Sequence, residues 1–523
     1  MTRQSNLAKR VQRVSTQASM PAPVGGLNAL NSLAEMPPIQ AIEMINFYPQ
    51  QYGVRVRKGW KKHATGLPAQ VESLFVYAPV VGNQQLFAVS QAKLYNVSAN
   101  AAVGAPILTG FINNRWQHQM MNNQFGSFLS MVNGFDLPQK YNGTLWTNQT
   151  MTPEAGETLD IRNLISVTLS HRRLWYVEKN SGNAWYLDVD AIEGVLTRFG
   201  VSEIFRQGGS LREIITWSVD SGTGMRDQTI FISSLGDVVV YQGYDPDDLA
   251  NWQLVGVYRC GAPIGQRCAI KFGSDVLIIC EDGVLPLTAI LGQSKAILGE
   301  PLSNIIQQRM GDDTSRLKEI FGWEMQLMER HGMLFVNVPE PSAPRQYVMN
   351  TVTMAWTQFY GYLGLCMEKF NEEFYYGANG YVGQGWTGEV DDARVDGSGF
   401  AIGAKCLQAY SFFGTPALQK HWTMCRPIFN GSNQPLVYVA MNTDFDIEDG
   451  TPPFSELEVV EDVALWDAAI WDDGHWSALR QVYKDWYGLN DIGFAGAIFL
   501  KMQTRAETFW VNTDLVLESG GVL

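Results

Sequence analysis

The sequence predicts a mainly β protein: a β-propeller of about six to eight blades, with an N-terminal strap and a C-terminal β-sandwich-like platform domain. Three observations support this prediction. The 523-residue chain has 50 glycines and 12% aromatic residues but only 17% charged residues. Short β-forming runs alternate with turns rich in Gly, Asn and Asp. The alternation also returns at the spacing of propeller blades.

The repeated unit is a hairpin that contains an aromatic residue. Seven such units lie within residues 64–390, and their average spacing of roughly 45 residues is typical of blades. The seven units are residues 85–97, 128–146, 173–189, 229–241, 276–287, 333–359 and 374–382. Asn-Gly at 133, 142 and 379, and Asp-Gly at 282, are the turn signals that hairpins require. Residues 64–390 are therefore predicted to be the propeller.

Two segments precede the propeller. Residues 1–24 form a basic arm in which Leu7, Val11 and Val14 have helical spacing, so either a short helix against a partner or a solvated terminus fits. Residues 25–63 are predicted to be an extended strap, because Pro37-Pro38 and Pro49 leave little room for a regular element.

A helical insertion interrupts the hairpins at residues 301–327. Apolar residues recur at helical spacing before and after a Gly-Asp-Asp break at 311–313. The insertion is predicted to lie outside a blade, as a contact between subunits or as a cover for a sheet edge.

The pattern of predicted strands changes after a polar, glycine-containing linker that begins at residue 391. Fewer and longer strands follow, at residues 404–412, 436–444, 494–504 and 508–517. Residues 391–523 are therefore predicted to form the platform domain.

Charge is distributed unevenly along the chain. Residues 1–62 carry nine Lys or Arg against two Glu, a balance of +7, so the remaining residues carry −21 of the net −14. An acidic body cannot bind duplex DNA by neutralising phosphates. It can line a channel that DNA crosses without adhering, because like charges repel.

The acidic residues are densest between Pro427 and Leu479, where eleven carboxylates occur without any Lys or Arg. Three interpretations compete for residues 444–473: a solvated loop, the lining of a channel, and a calcium site. The calcium interpretation is the weakest, because the spacing departs from the EF-hand pattern by one residue and lacks its distal Glu.

Sequence signals for catalysis, metal binding and membrane insertion are absent. The motifs GxSxG, HExxH and GxxxxGK[ST] do not occur, and the six cysteines show no metal-ligand spacing with the six histidines. The chain has no apolar run of 18 residues and no recognisable signal peptide. We therefore expect a protein without enzymatic activity, cofactor or metal, folded in a reducing cytosol.

Three short patterns in the sequence carry a resemblance. The first is the order of Gly25-Gly26, Asn46 to Pro49, and Arg57 with Gly59. The second is Asn350-Thr351 followed by Ala355 to Phe359, and the third is the closing stretch 509–521, which ends in Glu-x-Gly-Gly. These patterns resemble tail nozzle proteins of short-tailed bacteriophages, also called tail tubular or packaged-DNA stabilisation proteins, in which the second pattern is similar to a blade ending.

The resemblance implies a structural virion protein of the phage tail, assembled in the host bacterial cytoplasm. It implies a ring, a hexamer, below the head-to-tail adaptor protein, with possible attachment of tail fibres or a spike. The ring would extend and close the DNA channel, retain the packaged genome, and let DNA pass without sequence-specific binding. The alternative is a tail-associated propeller lectin or glycan depolymerase.

Two residue sets are assigned roles on this basis. Contact with the adaptor or a neighbouring subunit is predicted for Arg3, Lys9, Arg10, Arg13, Asn46, Tyr48, Arg55 and Arg57. An acidic lining of the channel or tip is predicted for Asp444, Asp446, Glu448, Asp449, Asp462, Asp472 and Asp473.

Overall fold

A computed structural model describes residues 15–220, 225–248, 250–291, 301–395, 398–447 and 481–519. Within these residues the chain forms forty β-strands and two α-helices, so it is mainly β, as predicted. It divides into two compact units. The larger unit is Lys58–Gly399, and the smaller unit combines Met1–Arg57 with Phe400–Leu523.

Four sheets of the larger unit are antiparallel meanders of four strands, numbered here in chain order. Sheet 2 is Gln117–Asn123, Gly126–Val132, Gln139–Tyr141 and Trp146–Asn148. Sheet 3 is Leu164–Ser170, Arg173–Glu178, Asn183–Tyr186 and Gly194–Gly200, with Met151–Pro153 added in parallel. Sheet 4 is Leu211–Asp220, Met225–Ser233, Asp237–Gly243 and Trp252–Arg259. Sheet 6 is Glu324–Met328, Met333–Val338, Arg345–Asn350 and Trp356–Tyr360.

Three further sheets complete the series. Sheet 5 is Ala269–Phe272, Asp275–Cys280 and Gly283–Pro286, followed by the helix Leu287–Leu291. Sheets 1 and 7 share the long strand Trp60–Tyr77. Sheet 1 adds Gln85–Ser90, Lys93–Asn96 and Leu108–Thr109, and sheet 7 adds Cys366–Phe370, Glu373–Gly377 and Asn379–Gly385. The short strand Ala101–Ala102 pairs with the long strand in parallel.

The sheets have a propeller-like arrangement around one axis. The first strand of each sheet lies beside the first strand of the next, and that of sheet 7 lies beside that of sheet 1. Apolar side chains fill the spaces between neighbouring sheets; Trp116 and Trp146, for example, pack with Phe75 between sheets 1 and 2. Burying an aromatic side chain of this kind contributes about 1.5–3 kcal/mol.

All seven predicted hairpins are confirmed as antiparallel strand pairs. Their turn glycines have the backbone that the turns demand: Gly143 has φ +97° and Gly380 has φ +83°. Residues that carry a side chain rarely adopt such positive φ angles, which explains the glycine of Asn-Gly at these positions.

The predicted insertion contains the helix Gln307–Leu317, preceded by the 3₁₀ turn Asn304–Ile306. The break expected at residues 311–313 is wrong, because the helix continues through it. Asp313 is buried and accepts hydrogen bonds from the Tyr347 hydroxyl (2.7 Å) and from Arg345. These partners in sheet 6 stabilise an aspartate that is otherwise unfavourable inside a helix.

The smaller unit contains two groups of strands. One is Ser15–Pro21, Phe47–Gln50, Gly53–Val56, Lys420–Gly431, Gln481–Tyr483, Tyr487–Gly493 and Thr508–Ser519. The other is Gly26–Leu27, Gln40–Ile45, Ile402–Gln408, Leu436–Thr443 and Gly496–Thr504. Ser15–Pro21 pairs with Thr508–Ser519, so the first and last described strands of the chain are neighbours.

The predicted strap contains regular strands, whereas residues 1–14 of the predicted arm lie outside the described residues. Residues 40–56 hold three strands, and their pairing partners, such as Ile402–Gln408, come from the far end of the chain. Domain boundaries expected after residues 63 and 390 fall instead after Arg57 and Gly399. None of the helices in the described ranges has both the length and the apolarity that a transmembrane helix needs.

Candidate functional site

The side chain of Arg267 lies where the first strands of the larger unit begin. Its guanidinium donates to the Trp116 carbonyl (3.0 Å), to Ser73 Oγ (3.4 Å) and to Glu324 Oε2 (3.0 Å). Arg267 precedes sheet 5, whereas these partners belong to sheets 1 and 6 and to the start of sheet 2. One side chain thus joins four parts of the ring of sheets.

Neighbouring groups hold this arginine and its carboxylate partner in place. Arg212 in sheet 4 donates from Nε (3.0 Å) and Nη2 (2.7 Å) to the carbonyl of Gly265, two residues before Arg267. Glu324 Oε2 also accepts from the Met367 backbone N–H in sheet 7 (2.9 Å). Burial raises the pKa of Glu324, and the charge of Arg267 opposes that rise.

Sheets 3 and 4 contribute a second carboxyl, which is half-buried beside this pair. Ser166 donates from Oγ to Glu213 Oε1 (2.7 Å). Burial raises the pKa of Glu213 from 4.5 to about 7, although the Ser166 hydrogen bond and the positive charges of Arg212 and Arg267 lower it in part. We define Ser73, Ser166, Glu213, Arg267 and Glu324 as the axial cluster.

The axial cluster joins residues on or beside the first strands of several sheets, and we call its position the closed end of the axis. The side chains of Arg267 and Glu324 are only 14% and 9% exposed to solvent. A buried pair of this kind is costly to break, because removing one partner leaves an uncompensated charge in a low-dielectric interior. The axial cluster therefore has the properties of a structural link that holds neighbouring sheets together.

Further along the first strands of sheets 1, 2 and 7 the surface opens into a cleft, and we call this region the open end of the axis. A cleft of about 420 Å³ is lined by Val76 and Ala78 from sheet 1, residues 118–120 from sheet 2, and Glu368 and Lys369 from sheet 7. This volume lies within the range of ligand pockets. His118 Nε2 lies 3.3 Å from Glu368 Oε2 on its wall.

Charges at the cleft are incompletely balanced. Lys369 Nζ lies 3.0 Å from Glu329 and 3.8 Å from Glu372, so one ammonium serves two carboxylates. Glu368 has the His118 imidazole and the Lys369 backbone N–H (3.0 Å) as partners. Carboxylates thus outnumber cations at this end.

Of the predicted contact residues, the structure describes four, and all lie in the smaller unit. Asn46 is buried and donates to the Gly403 carbonyl (2.8 Å), while its Oδ1 accepts from Arg57 Nε (3.0 Å). Tyr48 is 2% exposed, and burial raises its pKa.

The fourth described contact residue, Arg55, is also nearly buried. Its guanidinium forms an ion pair with Glu507 (3.3 Å) and lies over the Phe509 ring. All four side chains thus have partners within their own chain. Their contact with another subunit stays a prediction, and Arg3, Lys9, Arg10 and Arg13 lie outside the described residues.

Two residues of the predicted acidic lining are described. Asp444 Oδ1 accepts from the backbone N–H groups of Phe494 (2.7 Å) and Ala495 (3.0 Å). The Asp446 carbonyl accepts from the Tyr410 hydroxyl (2.7 Å). Asp444 therefore stabilises a turn, and Glu448, Asp449, Asp462, Asp472 and Asp473 lie outside the described residues.

The axial cluster and the cleft were not predicted from the sequence. The hairpins that the pattern revealed are mostly second and third strands of each sheet, whereas these residues lie on or before the first strands. One signal was present: Glu213, Glu324 and Glu368 each lie within a short run that is rich in apolar residues. Aligning the repeats on that run would have brought them together.

Comparison with known proteins gives no family for the chain. No family model matches it, and none of the curated proteins does. Matching solved structures include BBS1N in complex with ARL6DN, soaked with mercury in one and with lead in another. Each is 11% identical with a TM-score of 0.40; both matches cover 63% of this chain, and they cover 96% and 98% of the other chain. A likeness this weak supports no conclusion about function.

Proposed function

We propose that the chain is a structural virion protein, a tail nozzle subunit that forms a ring below the head-to-tail adaptor. The observation that carries the proposal is the closed end of the axis, where Arg267 joins the sheets around it. A side-chain cluster that links the sheets at one end of the axis leaves no passage for DNA along that axis. A DNA channel then has to lie between copies, as it would in a hexameric ring in the virion tail.

The finer architecture belongs to the same proposal. The larger unit would be a seven-bladed propeller, in which Trp60–Tyr77 closes the circle by belonging to sheets 1 and 7. The smaller unit would be the β-sandwich-like platform, with the basic arm and the residues around Asn46 facing the adaptor. The acidic residues up to Asp473 would line the channel or tip, retain the packaged genome and let it pass on ejection.

Size-exclusion chromatography with light scattering tests the proposal. The purified chain, alone or with its adaptor, should elute as a ring of several copies. Reversing the charge of the acidic residues should slow DNA release and leave assembly intact. A chain that stays monomeric in the presence of the adaptor would contradict the proposal.

The second candidate is a tail-associated lectin or glycan depolymerase. The cleft at the open end of the axis favours it, because a cavity of about 420 Å³ with amide and carboxylate groups suits a polar ligand. Clearing of capsular polysaccharide by a monomer or trimer would support this candidate. The same assay with the Glu368→Gln variant would then locate the activity.

A further inference from the structure

We propose that the open end of the axis binds a loop of another protein. In that loop a lysine or arginine is flanked by apolar residues, and its side chain enters the cleft. The proposal concerns a surface of the larger unit and does not depend on the nozzle function. It rests on three observations: the cavity, the excess of carboxylates around it, and exposed apolar side chains at its rim.

The cavity has the size and the walls for one long side chain. Val76, Ala78 and Met120 provide apolar surface, on which the methylene stem of a lysine or arginine can pack. Glu368 lies deeper, with its side chain 18% exposed and within 3.3 Å of His118. A cation that enters the cleft therefore meets a carboxylate after its stem has been desolvated.

The charge balance selects a cation over an anion. Glu329 and Glu372 share the single ammonium of Lys369, and Glu368 has the His118 imidazole as its side-chain partner. An incoming guanidinium or ammonium completes this set and forms a charge-assisted hydrogen bond. Nucleic acid is disfavoured, because its phosphates would meet the same carboxylates.

The rim indicates that the cation belongs to a protein. Val80 and Val81 are 76% and 88% exposed in the loop that follows Ala78. Phe125 is 77% exposed in the turn between the first two strands of sheet 2. The two loops are adjacent, since the Val80 N–H donates to Ser127 Oγ (3.2 Å). Exposed apolar side chains grouped in this way are typical of a protein interaction site.

The test uses two peptides and the full chain labelled with ¹³C-methyl methionine. One peptide is acetyl-Gly-Leu-Arg-Leu-Gly-amide, and the other has neutral citrulline in place of arginine. The Met120 methyl signal, assigned with a Met120→Ile variant, reports binding in the cleft. We expect the arginine peptide to shift this signal and to bind at least about tenfold more tightly than the citrulline peptide.

Variants establish which carboxylates are used. Glu368→Gln should weaken binding of the arginine peptide about tenfold, and Glu372→Gln at the rim should weaken it less. Glu157→Gln is the matched control, because Glu157 is also a half-buried carboxylate with a basic partner, here Arg198, but lies away from the cleft. It should leave binding unchanged. The unfolding midpoint of each variant shows that it is folded.

Several results would overturn the inference. These are equal affinity for the two peptides, no shift of the Met120 signal at millimolar peptide, and equal binding by wild type and Glu368→Gln. A shift caused by maltoheptaose but not by the arginine peptide would also overturn it, and would favour the glycan-binding candidate. None of these results bears on whether the chain assembles into a ring.

Discussion

The two ends of the axis of the larger unit are both built on first strands of its sheets, yet their side chains have different surroundings. At the closed end, Arg267 and Glu324 are nearly buried and hydrogen-bonded on several sides. At the open end, His118 and Glu368 are 25% and 18% exposed beside a cleft. The difference shows that one scaffold can hold a structural polar centre and an accessible one a few residues apart. The predictions below test this difference in order of expected effect.

The largest effect is expected from Arg267→Ala. The substitution leaves Glu324 buried without its cation, so the free energy of unfolding should fall by about 3–5 kcal/mol. Chemical denaturation measures the change. Arg330→Ala is the control, because Arg330 forms an ion pair with Glu373 (2.5 Å) at the surface and should cost less than about 1 kcal/mol.

The double variant Arg267→Met with Glu324→Gln sharpens this test. It removes both charges and keeps similar volumes, so it should recover much of the stability lost in Arg267→Ala. If Arg267→Ala and Arg330→Ala cost the same, the closed end is no more structural than the surface.

The second effect concerns Glu213 and pH. Its folded pKa of about 7 lies above its value of 4.5 outside the fold, so the folded state binds the proton more tightly. The stabilisation is complete below pH 4.5 and is lost as pH rises through 7. Glu213→Gln removes this loss and should make the protein more stable than wild type at pH 8, by up to about 3 kcal/mol. Thermal unfolding at pH 5 and pH 8 measures the difference.

A residue with the opposite shift provides the control. The hydrogen bond from Lys140 lowers the pKa of Glu193. Its stabilisation is present above pH 4.5 and is lost as pH falls through the lowered pKa. Glu193→Gln should therefore destabilise the protein at pH 8 and have little effect at acid pH. Equal pH profiles for wild type and Glu213→Gln would show that Glu213 is not enclosed.

The smallest effect is expected at the open end. Glu368→Gln should change the free energy of unfolding by less than about 1 kcal/mol, because its carboxylate is in part solvated and its ion pair is near the surface. Denaturation alongside Arg267→Ala makes the comparison direct. A loss as large as that of Arg267→Ala would mean that the open end is also structural.

The local sequence pattern was sufficient to predict the hairpins. It was insufficient to predict the strands and side-chain contacts that join them. Gly143 and Gly380 mark turns within the sequence itself, and the strands around them were predicted correctly. The strand Lys420–Gly431 was missed, because it contains Pro427 and charged residues. Lys420 is buried there, and its ammonium donates to the carbonyls of Thr415, Leu418 and Phe494.

The axial cluster could not be predicted, because its residues are far apart in the sequence and a local pattern does not relate them. Ser73 and Arg267 are separated by almost two hundred residues, and Arg267 and Glu324 by more than fifty, yet they meet at the axis. In the smaller unit, Ser15–Pro21 and Thr508–Ser519 pair across nearly the whole chain. Segments of this kind are stabilised by partners far away in sequence, so their own residues carry a weak signal.

Electron cryomicroscopy of the purified chain with its adaptor tests the central claim most directly. The account predicts a ring in which the pore lies between copies, while density for Arg267 fills the axis within each copy. A single copy with an open passage through its own axis would contradict it.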